Sequence, residues 1–246
     1  MLKLIQLNIF IACLSISTTI SGQTVLMQEK TNAYDFKMPK AGPNFRHFAH
    51  LYIGFGSFIP DNKEYEVKTG LGATTSLEFG WRYKLKLTNW LAAGTGINYI
   101  NDIFDIKQVE KKFIPDTLMH SKEKLRFNNL GSEFYIRFNF GKRGNIVGRF
   151  VDLGAYANWA FKVKQMYVDK VDQNLPQRAT SQRVILYHLD YIERFNYGLK
   201  ARIGLNRIVF TGFYRMSDLF SADFKAEVGE YYLPRLSVGI ELGLFK

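Results

Sequence analysis

The side chains that could do chemistry in this 246-residue chain are few and widely spaced. His47 and His50 stand three residues apart, a spacing that chelates a metal on a helix. On a strand the same spacing sends the two rings to opposite faces. His188 and Asp190 share one face of an extended segment, with Ser181 upstream. A hydroxyl, an imidazole and a carboxylate of this kind transfer acyl groups once they come within hydrogen-bond reach. The single cysteine, Cys13, excludes a disulfide framework and a thiolate zinc site. Gly94-Thr95-Gly96 and Gly141-Lys142-Arg143-Gly144 lack the third glycine, or the following Lys-Ser/Thr, of a nucleotide phosphate loop. These residues imply neither a metal nor a cofactor.

The elements that must position these groups read as strands. Aromatic residues make up 15% of the chain, against only 6 prolines, a composition that favours extended structure. From Thr69 to Lys84 the odd positions carry Leu71, Leu77, Phe79, Trp81 and Tyr83, while the even ones carry Gly70, Gly72, Ser76, Glu78, Gly80 and Arg82. Alternate side chains of a strand face opposite ways, so this segment has one apolar face and one small, polar or charged face. The pattern recurs in Ser132–Phe140, Val151–Phe161, Phe195–Ile203 and Arg235–Leu244, and with more exceptions in Ala49–Ile59, Trp90–Ile103 and Ile208–Ser217. Eight strands result. Leu125 and Phe127 are out of phase with Phe134–Phe140, which calls for a bulge or loop near Asn128-Asn129.

The connections alternate in length. Lys86–Asn89, Gly141–Asn145 and Gly204–Asn206 are short, whereas Pro60–Lys68, Asp105–Lys122, Gln165–Arg183 and Asp218–Tyr231 are long. Tight turns at one end and longer loops at the other define an up-and-down transmembrane barrel. The longest mature stretch without a charge, Leu87 to Asn101, falls short of the about 20 apolar residues a spanning helix needs. The expectation is therefore all-β: an eight-stranded antiparallel up-and-down transmembrane β-barrel over residues 46–246. Residues 1–22 read as a signal peptide, with a basic start at Lys3, an apolar run from Leu4 to Leu14 and a small polar tail. Lipidation at Cys13 is the alternative processing route. Residues 23–45, with Pro39 and Pro43, form a periplasmic extension and a candidate partner-binding strap.

With the apolar faces turned to lipid, the inward set contains Glu78, Glu133, Asp152 and Glu241, with Arg82, Arg137, Lys200, Arg202, Arg215 and Arg235. Eight strands leave an interior only wide enough for side chains, so these charges must pair or be hydrated. The expected result is an ion-paired plug, and the alternative a narrow conduit. The formal net charge of +11 favours anionic surfaces. Lys107, Lys111, Lys112, Lys122 and Lys124, in or beside the second long loop, are either solvated or set against lipopolysaccharide phosphates. With an export signal and no recognition motif, nucleic acid is not an expected partner.

The run Tyr214-Arg215-Met216-Ser217-Asp218-Leu219-Phe220, followed by Tyr232-Leu233-Pro234-Arg235-Leu236-Ser237-Val238-Gly239-Ile240-Glu241-Leu242-Gly243-Leu244-Phe245, resembles the PorT-like family of small outer-membrane barrels. Their architecture is similar to that of the OmpA and OmpX barrels. Phe245 resembles the terminal aromatic of barrel insertion signals, although Lys246 follows it. The resemblance implies an outer-membrane location and a non-enzymatic accessory or structural role in a secretion or assembly complex of the envelope. Its partners would be outer-membrane lipid, lipopolysaccharide and other envelope proteins, with no cofactor and no catalytic motif. The alternatives are a lipid A-modifying enzyme using His188 and a small stand-alone barrel with a narrow conduit.

Overall fold

The computed structural model describes residues 41–59, 67–68, 74–109, 112, 118–141, 144, 146–170, 180–228 and 233–245. Residues 1–22, expected to be a signal peptide, with Cys13 among them, residues 23–40 of the expected extension, Lys111 and Lys246 lie outside them. The strands are β1 (His47–Ile59), β2 (Thr75–Lys86), β3 (Leu91–Asp105), β4 (Lys122–Phe140), β5 (Arg149–Lys170), β6 (Ser181–Tyr187), β7 (Phe195–Leu205), β8 (Ile208–Arg215) and β9 (Leu236–Leu244), with a short helix α1 (Ala222–Val228) between β8 and β9. Each strand pairs antiparallel with its neighbour, β9 returns to β1, and β5 pairs with β7. The result is a closed barrel of eight strands, with β6 laid along the upper part of β5.

Two-residue periodicity sets which side faces in. Along β7 exposed and buried residues alternate without a break. The outward residues include Phe195, Tyr197, Leu199 and Ile203, and the inward ones Asn196, Lys200 and Arg202. Register carries this pattern around the wall: Ile53 faces Phe79 on one side and Leu242 on the other. Closure removes the free edges that would otherwise expose backbone polar groups. The start of β1, the end of β9 and the links after β2, β4 and β7 gather at one end, and the longer links at the other. The tightest link is Asn206-Arg207, where Asn206 takes φ 61° and donates its N–H to the Gly148 carbonyl at 2.9 Å. Asparagine tolerates this left-handed conformation better than most residues.

Three expectations are corrected, and that of a bulge near Asn128-Asn129 is met. The segment Gln165–Arg183 is not all loop: β5 runs on to Lys170 and β6 begins at Ser181. Pairing of β4 with β5 does shift at Asn128-Asn129, but Phe161 of β5 is the extra residue. The alternation of β4 itself never breaks, so Leu125 and Phe127 point inward. Residues 69–73 of the strand expected from Thr69 lie outside the described residues, β2 begins at Thr75, and the last long link contains α1.

The inward Leu125 and Phe127 belong to an apolar cluster at the long-loop end, with Phe58, Phe104, Ile106, Leu219, Phe220 and Leu233. A smaller cluster of Phe48, Val147, Phe150 and Val209 lies at the short-turn end. Phe245 packs against it, with its ring edge-on to Phe48 at 5.4 Å. The charged middle of the barrel therefore lies between two apolar caps.

Candidate functional site

Strands β2, β4, β5, β7 and β9 each send charged side chains into the middle of the barrel, because their polar residues occupy the inward phase. Arg82 donates from Nε to Glu133 at 2.8 Å and from Nη2 to Glu241 at 2.9 Å. Arg202 reaches Glu133 at 2.6 Å and Asp152 at 3.2 Å. Arg137 grips Asp152 with both ends of its fork, at 2.7 and 2.8 Å. This bidentate geometry suits guanidinium and carboxylate best. The Lys200 ammonium lies 2.9 Å from Glu78 and 3.1 Å from both Glu133 and Glu241. Cations Arg82, Arg137, Lys200 and Arg202 thus balance anions Glu78, Glu133, Asp152 and Glu241.

Neutral groups complete the lattice. The Tyr52 hydroxyl donates to Glu78 at 2.5 Å, and Asn98 donates to the same carboxylate at 2.6 Å. The Arg82 guanidinium lies 3.9 Å above the Tyr52 ring and that of Arg137 3.5 Å above Phe150, favourable placements over the negative face of a ring. Burial costs a charge several kcal/mol on the order of magnitude unless partners surround it, and here each charge has at least one within ion-pair distance. The arrangement neutralises charge and fills space.

Two of the ten inward candidates lie apart. Arg215 donates to the Leu233 carbonyl at 2.9 Å. Arg235 pairs with Asp218 beside α1, partly exposed. Above the lattice, Asp102, Asn129, Asn158 and Arg215 line a cavity of about 40 Å³, enough for internal water. Higher still, Lys112 is buried in an ion pair with Glu123, which also accepts from Gln165 at 2.7 Å. For Lys112 the solvated-loop expectation is therefore corrected. Lys124 stands 3.6 Å from Asp105.

The histidine arrangements do not assemble. His47 is exposed and shares a 2.7 Å hydrogen bond with the Tyr83 hydroxyl, whereas His50 stacks on Phe48. His188 and Asp190 lie exposed in the break between β6 and β7, not on the inward face. Ser181 is at the far end of β6, roughly 20 Å away at about 3.3 Å per residue. Among the described residues no group of His, Cys, Asp and Glu side chains is placed to hold a metal.

Tyr52, Asn98 and Asn158 were not singled out in the sequence. Tyr52 and Asn98 carry the inward two-residue phase of β1 and β3, which is the signal that marks them. Asn158 meets Asn98 across Gly131: a Cβ there would sit 2.2 Å from both amide oxygens. Only glycine permits that convergence. Fold and site together define a small closed barrel of eight antiparallel strands, consistent with the architecture of OmpA and OmpX. Comparison with protein-family models and with curated proteins returned no match.

Proposed function

We propose that this protein is an exported outer-membrane β-barrel, with residues 1–22 as its signal peptide. In this reading it serves as a non-enzymatic accessory or structural subunit of an envelope complex for secretion or assembly, as the PorT-like resemblance of Tyr214–Phe245 implies. One observation carries the reading: the outer wall around the middle of the barrel is apolar, while the eight charges at that level are spent on one another inside it. Leu51, Phe79, Ile97, Phe134, Leu153 and Ile240 are all exposed on that wall. An apolar belt of this extent is suited to hydrocarbon. What remains for recognition is the wall, the long-loop end and β6, which is hydrogen-bonded to a strand on one side only.

The test is to solubilise outer membranes in mild detergent, capture the tagged full chain and identify what comes with it by mass spectrometry. Recovery of a large envelope complex in fixed proportion is the expected result. Recovery of the barrel with lipid alone would overturn the accessory role.

A further inference from the structure

The seam between β4 and β5, at the level of the Phe161 bulge, carries like charges that form no ion pair among the described residues. Arg126 of β4 stands directly across from Lys164 of β5, and Lys162 lies two pairs below it on the same face, opposite Asn128. Like charges placed opposite one another destabilise a sheet. Asp105, at the end of the adjoining strand β3, is already held by Lys68 at 3.1 Å and Lys124 at 3.6 Å. Among the described residues, Arg126, Lys162, Lys164 and Arg194 form no ion pair, and neither do the neighbouring Asp190 and Glu193. The Arg126 Nε is buried and has no hydrogen-bond partner. Three cations, one with an orphaned donor, are therefore gathered on the seam, and Arg194 shares the lining of the adjacent pocket with Lys162.

Directly beside them the wall is notched. β5 pairs with β7 only as far as Trp159 and with β6 only from Lys164. The chain between β6 and β7 turns away through His188, which takes φ 57°. The gap is a pocket of about 380 Å³ lined by Phe161, Val163, Tyr187, Leu189 and Ile192, with Lys162 and Arg194 at its margin. The Lys162 ammonium lies 5.2 Å over the Tyr187 ring. Just below, Tyr99 and Phe161 face outward with ring centroids 6.3 Å apart. Aromatic rings of this kind sit at the headgroup level of a membrane. An apolar slot with cations above it, at the edge of an apolar wall, matches an amphiphile whose head is anionic.

We propose that this seam binds a phosphate-bearing lipid of the outer leaflet. Its phosphate is held by Arg126, Lys162, Lys164 and Arg194, and one acyl chain enters the notch. The inference rests on the membrane reading above. Phosphate offers several acceptor oxygens to four cationic side chains, so it removes the repulsion between Arg126 and Lys164.

The experiment uses the full chain folded in detergent, with lipid A carrying both phosphates as the probe. Binding is followed by native mass spectrometry and compared with the same lipid stripped of phosphate. Intact lipid A binds roughly tenfold more tightly than the stripped form, a preference that Arg126→Gln with Lys164→Gln removes. Arg149→Gln, an exposed charge at the opposite end of β5, keeps it. Millimolar inorganic phosphate does not displace the lipid, because the acyl chain contributes. Equal binding of both lipids, an unchanged double variant, or full displacement by free phosphate overturns the proposal. Flotation of the same preparation with vesicles separates the two readings. A chain that floats but shows no preference sinks the lipid site alone, and one that does not float sinks the membrane reading as well.

Discussion

At the scale of single residues, Glu133 carries the most weight in the interior. Arg82, Arg202 and Lys200 all lie within 3.1 Å of it, and the side chain is buried. Replacing it with glutamine leaves three buried cations short of one countercharge. Breaking a buried pair in this way costs about 3–5 kcal/mol. We expect Glu133→Gln to lower the unfolding free energy read from a urea titration by that amount, with a lower midpoint, whereas the exposed Glu193→Gln stays within about 0.5 kcal/mol of the parent. Equal midpoints would show that the lattice is not under strain from charge imbalance. A second residue with a defined steric role is Gly94, where a Cβ would lie 2.2 Å from the Tyr135 ring and 2.5 Å from the Tyr83 carbonyl. The ring is held in place by its hydroxyl, which donates to that same carbonyl at 3.0 Å. Gly94→Val should therefore fail to reach the compact form that resists denaturation by SDS at room temperature. A variant that folds with normal yield would mean that Tyr135 can leave its place cheaply.

At the scale of elements, the strands were legible wherever one face is apolar and the other polar along the whole length. That holds for β7, and for the lower half of β5 from Val151 to Trp159. It failed where the inside of the barrel changes character. Leu125 and Phe127 look out of phase only if every apolar residue is assumed to face outward; at the long-loop end, the apolar cap reverses that rule. The extent of β5 was hidden for a related reason: beyond Phe161 it stands above the apolar wall, so its outward residues are Lys162 and Lys164 and the alternation fades. Eight of the ten charges assigned inward by phase join the lattice, but their pairing partners depend on stagger between strands, which no single strand records. The fully buried Lys112 could not be read at all, since its burial comes from Glu123 and Gln165 on other elements. The wall yields a prediction of its own. Leu153 is 54% exposed and lies between Ile136 and Ala201 on the outer face. An arginine there costs about 2–4 kcal/mol if the position lies near the middle of a bilayer. We expect Leu153→Arg to lose that much stability in vesicles and little in detergent, where the charge can reach water. The same loss in both media would argue against a lipid-facing wall.

For the whole molecule, the order of layers from one end to the other decides whether anything passes through it. An ion entering at the short-turn end first meets Phe48, Val147, Phe150, Val209 and the ring of Phe245. It then reaches a lattice whose charges already cancel and whose guanidinium groups stack on Tyr52 and Phe150. Beyond the small polar cavity, it faces the apolar cap of Phe58, Phe104, Leu125, Phe127 and Leu219. An ion has no attraction to a neutral lattice and cannot shed its water into an apolar cap without a cost of several kcal/mol on the order of magnitude. Two such caps in series exclude a hydrated path while the barrel stays closed. Planar bilayers carrying the folded protein should therefore show no current steps above the bare membrane at molar potassium chloride. Insertion is checked on the same sample by protection from protease. Removing the smaller cap with Phe150→Ala and Phe245→Ala should leave the membrane silent, because the larger cap remains. Stable current steps from the parent protein would instead establish a conduit, and would require the ion-paired interior to rearrange within the membrane.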